Sequence, residues 1–273
     1  MKRNFIRHLA IAALLLIPGF QAMAQDSPEA YETTKAAAQI NLGADLVSRY
    51  IWRGRDYGNS PAIQPNLSFS VAGFKVGAWG SYGLTESTRK INDSTLVSMG
   101  HYAEFDLYVC YTYKWFTLQV TDFFFPNPLN PNDDNKYYNY RNATTGHTFE
   151  VCLMFAGPDN FPLQLCVSTL FYGADKNKDS LGVYGAGTKN NFSTYLEAAY
   201  IFKLKKAGID LKPFAGGIPF GSSWYGTHGG FANCGITASK TIAITEKFSL
   251  PVYVSIITNP QAGNVFFVAG ITL

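Results

Sequence analysis

From Ile40 to Leu273 apolar and polar residues alternate with a period of two, the mark of strands that bury or solvate one face at a time. In the first such segment Leu42, Ala44, Leu46, Ser48, Tyr50 and Trp52 share one face, while Asn41, Asp45, Arg49 and Arg53 share the other. The pattern returns at 63–71, 74–78, 103–111, 116–120, 149–155, 163–171, 196–202, 248–256 and 265–273. Two weaker, glycine-rich segments near 208–218 and 231–241 bring the expectation to about twelve strands. Helical periodicity is nowhere convincing.

The connections sort into two classes that alternate along the chain. One class is short, at 72–73, 113–115, 157–161, 204–207 and 245–246. The other is mostly long and rich in Asn, Asp, Gly and Pro, at 84–100, 126–146, 174–191 and 219–230, with shorter members at 54–60 and 258–262. Short turns at one end and long loops at the other predict an all-β fold, a transmembrane antiparallel β-barrel with periplasmic turns and extracellular loops. An even strand number then leaves both termini periplasmic. A secreted β-sandwich would alternate in the same way. Against it, Tyr50, Trp52, Tyr82, Tyr111, Tyr113, Phe124, Tyr200 and Phe202 fall near strand ends with aliphatics between them, as interfacial girdles do.

Composition adds a compartment. The chain has 273 residues, 47% hydrophobic, 15% charged and 15% aromatic, which excludes a disordered or nucleic-acid-binding protein. Lys2, Arg3 and Arg7, an apolar stretch at 9–20 and Ala22-Met23-Ala24 before Gln25 read as a cleaved signal peptide over 1–24. Residues 25–39 form a polar lead-in and 40–273 the barrel. Of 22 Lys and Arg, the three in the leader leave 19, against 19 Asp and Glu, so the mature chain is formally neutral. Without a cysteine near the cleavage site no lipid attachment is expected there. The expected location is the outer membrane of a Gram-negative cell, with membrane lipid and, during biogenesis, the barrel assembly machinery as partners.

The stretches ADLVSRYIWRG (44–54), SPAIQPNLSFS (60–70) and GFKVGAWGS (73–81) resemble the opening of the TorF-type outer-membrane porin family. Ser48, Tyr50, Arg53, Gly54, Pro61 and Gln64 carry the pattern, which covers about the first three strands. The resemblance implies an outer-membrane barrel of porin type. That family has no established substrate or catalytic residues, so none are carried over. Leu273 stands where outer-membrane barrels more usually end in an aromatic.

With apolar residues facing lipid, the alternate positions line the interior. Asp45, Arg49 and Arg53 are expected to climb the first strand, and Glu104, Asp106, Glu150 and Glu197 to descend the fourth, sixth and eighth. Lys75, Lys212 and Lys247 fall near the periplasmic rim. Arg49 and Arg53, four apart on a strand, would stand about 13 Å from each other. Two readings follow for these charges, a salt-bridge network that fills the bore or a constriction that selects solutes. Either way the near balance of signs favours weak cation preference or small neutral solutes over anions.

The leading expectation is a narrow diffusion channel for small solutes; the alternative is a non-conducting barrel whose loops, above all 126–146, bind a ligand or surface partner. No enzyme, cofactor or metal site is expected: His101, His147 and His228 lie near loops, and His228 beside Ser222 and Ser223 lacks a third group to hold it. Cys110, Cys152, Cys166 and Cys234 show no metal spacing. A hairpin folded about residue 159 would set Cys152 directly opposite Cys166 on the inward face, where a disulfide is an open question.

Overall fold

The computed structural model describes residues 37–273 apart from 93, 94, 128, 129 and 247. The leader at 1–24, nearly all of the lead-in and Lys247 lie outside the described residues. Twelve antiparallel strands form the wall: β1 (Gln39–Val47), β2 (Ala62–Val71), β3 (Phe74–Asn92), β4 (Thr95–Tyr113), β5 (Phe116–Phe124) and β6 (Thr148–Ala156). They continue as β7 (Leu163–Gly173), β8 (Thr194–Tyr200, resumed at Phe202–Leu204), β9 (Ile209–Ile218), β10 (Gly230–Ala243), β11 (Ser249–Asn259) and β12 (Asn264–Thr272). Each pairs with the next, and β1 pairs with β12, so among the described residues the sheet closes on itself and leaves no edge strand in the wall. The all-β barrel read from the alternation is the fold, and its twelve strands are the expected number.

Side chains obey the pleat. Leu67, Val76, Leu107, Leu118, Leu153, Val254 and Phe267 are exposed on the outer face. Gln64, Ser81, Glu104, Gln119, Glu150, Glu197 and Ser255, in the opposite phase of the pleat, are buried inside. A soluble core reverses this; apolar outside and polar inside is the arrangement of barrels that outer membranes hold. The short turns fit tightly twisted hairpins. Ala72 and Gly73, between β2 and β3, both have positive φ, 50° and 85°, the type I′ geometry that matches strand twist.

Two expectations are corrected. The span 84–100 is not a long loop: β3 and β4 run on as 19-residue strands. More consequentially, the first strand stops at Val47. At the β1–β12 seam, among the described residues, Asp45, Leu46 and Val47 pair in register with Thr272, Ile271 and Gly270, and Ala44 exchanges backbone bonds with Leu273. Ser48 adds one backbone bond to Ala269 (2.8 Å), and the chain then turns away from the wall.

Candidate functional site in the barrel lumen

The segment expected to finish the first wall strand forms a hairpin of its own. Tyr50–Trp52 pairs with Arg55–Tyr57 across a two-residue turn, Arg53-Gly54, with φ of 50° and 77°. Two positive φ values in succession make a type I′ turn, and Gly at its second position carries that conformation without strain. Gly54 is required for a second reason: a Cβ there would run into the carbonyl oxygen of Ala232 on β10. The tip of the hairpin therefore touches the wall at β10. Tyr50, Ile51 and Arg53 are buried, which places the hairpin inside the barrel.

Arg53 is the anchor. Its guanidinium grips Glu150 of β6 with two bonds, Nη1 to Oε2 at 2.5 Å and Nη2 to Oε1 at 3.0 Å. Arg53 is 4% exposed and Glu150 fully buried, so the pair is shielded from solvent. Nη1 also donates to the Tyr225 hydroxyl, 2.5 Å away. The cation lies over the rings of Trp52 (4.4 Å) and Tyr195 (4.6 Å), contacts that desolvation strengthens. Asn259 of β11 donates to the Gly54 carbonyl at 3.1 Å.

A second loop completes the plug. Tyr225 belongs to residues 219–229, between β9 and β10, and that loop descends far enough to be 2% exposed at this ring. Arg55 ties the two loops together, donating to the carbonyls of Ser223 (2.7 Å) and Trp224 (2.6 Å). Trp52 packs on Phe123, Trp224 and Tyr225, while Tyr50 packs on Trp79, Tyr57 and Tyr102. Rings and one ion pair thus fill the half of the lumen nearer the long loops.

The inward acids are placed as the alternation expects. Asp45, Glu104, Asp106, Glu150 and Glu197 are all buried in the lumen, but only Glu150 meets an arginine. Glu104 accepts from the Tyr102 hydroxyl at 2.6 Å. Glu197 accepts from Tyr195 and from Asn233, and Asp45 from Thr272 (2.7 Å). Arg49 is corrected: it is not a wall residue of the bore. It pairs with Asp56 at 3.4 Å and donates to Asn59, within the hairpin segment at the long-loop end. Arg49 lies in the bend after β1 and Arg53 in the turn of the hairpin, so neither stands on the first wall strand. The girdle positions given to Tyr50 and Trp52 are also corrected, since both rings lie inside.

Tyr195, Tyr225, Asn233 and Asn259 belong to the site although the sequence did not single them out. The signal that was present is 53–59, RGRDYGN, whose Gly, Asp and Asn density speaks for a turn rather than a strand.

The half of the lumen nearer the short turns is built differently. Among the described residues wall side chains alone fill it, including Gln119, Cys152, Met154, Cys166 and Lys212. Gln164 Oε1 and Ser168 Oγ are buried without a protein hydrogen-bond partner, an arrangement a hydrated interior satisfies. The register corrects the cysteine pairing: Met154 faces Cys166 and Cys152 faces Ser168, so the two cysteines are diagonal neighbours. Their sulfurs are nonetheless 3.2 Å apart.

Outside the lumen, the 125–147 loop folds back over the wall. His147 is buried, stacked between Phe124 (4.6 Å) and Tyr140 (4.2 Å), with Nδ1 at 2.7 Å from Asp122 and Nε2 at 2.6 Å from the Tyr137 carbonyl. Both nitrogens face acceptors, so this histidine is a strut rather than a surface metal ligand. In the 174–193 loop, burial pushes the Asp175 carboxyl up, against hydrogen bonds from Ser193. At the opposite end Lys203, 2.8 Å away, holds the exposed Asp159 carboxyl below its usual range.

No curated protein matches the chain. Residues 31–216 match a family described as bacterial protein of unknown function (Gcw_chp), a span that runs from before β1 into β9. It contains the hairpin, Glu150 and Glu197, and stops short of Tyr225, Asn233 and Asn259. With well over half of its length matched, the chain belongs to the Gcw_chp family.

Proposed function

We propose that this protein is a TorF-type outer-membrane barrel that works as a gated, narrow diffusion channel, closed at rest by its first loop. The observation that carries the reading is the independence of the plug. Among the described residues the strands Tyr50–Trp52 and Arg55–Tyr57 pair only with each other, in a sheet separate from the wall. The hairpin is held by side chains, chiefly Arg53 on Glu150, so it can leave without a wall strand coming apart. A structural filler would gain most by joining the wall ladder, and here the wall is shortest where the hairpin departs.

Once the hairpin swings out, five buried acids, Asp45, Glu104, Asp106, Glu150 and Glu197, face Lys212 and whatever remains of Arg53. That lining favours cations and small neutral solutes. Planar-bilayer recordings test the reading with Arg53→Ala. Frequent cation-selective steps in the variant against rare openings in the wild type support it; identical records reject it.

A second reading, a barrel whose loops bind a surface ligand, has its own support. Tyr138 is 90% exposed on a loop braced by Asn139, whose amide donates to the carbonyls of Asp133 (3.0 Å) and Thr144 (2.8 Å). A rigid loop presenting an aromatic ring suits stacking on sugars or protein. Removing residues 130–144 separates the two, since the channel keeps its conductance and the binder loses its ligand.

A further inference from the structure

We infer that Cys152 and Cys166 are joined by a disulfide in the mature protein, a covalent staple in the luminal wall directly beneath the anchor of the plug. Cys152 lies two residues along β6 from Glu150, on the same inward face, and Cys166 lies on β7. The β6–β7 register makes them diagonal neighbours rather than a direct pair, and their sulfurs are 3.2 Å apart. Diagonal neighbours in a ladder ordinarily stand farther apart than opposed ones, so the inference is carried by the two side chains converging to this sulfur separation and not by the register. A disulfide has a bond length of about 2.05 Å, so the sulfurs approach further when the bond forms. The other cysteines are placed for no such bond: in register Gln119 stands between Cys110 and Cys152, and Cys234 is on β10.

The inference rests on export, as proposed above, because the oxidising periplasm supplies the electron acceptor. That acceptor is a thiol–disulfide oxidant. A thiolate of one cysteine attacks the oxidant's disulfide, forming a mixed disulfide and releasing one oxidant thiol. The thiolate of the second cysteine then attacks the protein sulfur of the mixed disulfide and expels the other. Two cysteine thiols are oxidised, one oxidant disulfide is reduced to two thiols, and the two protons end on it. With Cys152 1% and Cys166 6% exposed, a protein oxidant reaches them only before the barrel closes. Oxidation therefore precedes membrane assembly. The consequence for function is mechanical: the strand that carries Glu150 is clamped to its neighbour, so release of the hairpin breaks the Arg53 contact and leaves its receptor in place.

The test is alkylation with iodoacetamide under denaturing conditions without reductant, followed by peptide mass mapping of protein taken from the outer-membrane fraction. A linked peptide pair containing Cys152 and Cys166, two mass units below the sum of the reduced peptides, is expected, with adducts at the other cysteines. Adducts on Cys152 and Cys166 in most molecules, or a link from either to Cys110, overturn the inference. If the protein is absent from the outer-membrane fraction, export fails instead, and the pairing is judged on barrel refolded with oxidised glutathione. There the linked pair supports it and free or glutathione-capped thiols reject it. Cys152→Ser supplies a second readout: its melting temperature is expected to fall and to become insensitive to dithiothreitol, whereas wild type loses stability when reduced.

Discussion

The two halves of the lumen are filled by opposite means. Toward the long loops, the interior is occupied by segments that do not belong to the wall, packed ring against ring around one shielded ion pair. Toward the short turns, the wall fills its own interior with small polar and sulfur-bearing side chains, some with buried oxygens that have no protein partner. The first kind of filling is strong but detachable, because its cohesion sits in a few side chains. The second cannot be removed without unfolding a strand. Under the proposed function the first half is where an opening device would sit and the second where a conducting lining would.

The sharpest way to break that contrast is to remove the ion pair. Arg53→Ala or Glu150→Ala strands a buried charge, and each is expected to destabilise the closed barrel by about 3–5 kcal/mol. The double variant should lose much less than the two combined, and thermal melts followed by heat-modifiable gel mobility check the coupling. Independent additive losses would mean the two residues do not act as a latch.

Gly54→Ala comes next. It places a side chain at φ 77° against the Ala232 carbonyl, with an expected cost of about 1–3 kcal/mol that falls on the hairpin tip rather than the wall. Limited proteolysis reports it as new cleavage near 53–59 with the wall intact. Tyr225→Phe removes one hydroxyl from Arg53 and should cost about 1–2 kcal/mol, read in the same melts.

The smallest effect is the control at the opposite end. Lys203→Ala breaks an exposed pair with Asp159 and should leave the melting temperature unchanged. It should, however, raise the Asp159 pKa to the ordinary carboxylate range, as carboxyl NMR would show. Because that pKa is depressed in the folded protein, its contribution is present above the unfolded value and is lost as pH falls through the lowered one. A large loss of stability here would erase the distinction between the two halves.

The wall was legible because a barrel whose two faces meet different surroundings needs a strict period of two, and that need writes itself into residues such as Leu67, Ser68 and Phe69. The inward acids followed from the same count. The hairpin was not legible as an interior element, since Tyr50 and Trp52 prolong the alternation of β1 and a pleat carries no mark of where a chain leaves the wall. Arg53-Gly54 as a turn was hidden for the same reason, although the residues after it speak for a bend. Tyr225 and Asn259 were invisible because their place in the lumen is set by closure of the barrel, a contact across 172 residues in the first case. The cysteine register was missed by the position of a single turn residue, which is enough to convert an opposed pair into a diagonal one.

The central claim, that the hairpin closes an otherwise conducting barrel, is tested most directly by cutting it out. Residues 50–57 are replaced by a short Gly-Ser linker, and the refolded protein is compared with wild type in planar bilayers. The account expects long-lived, cation-preferring openings in the shortened protein and brief, rare ones in wild type. Equal conductance in both, or a folded shortened barrel that never conducts, would contradict it.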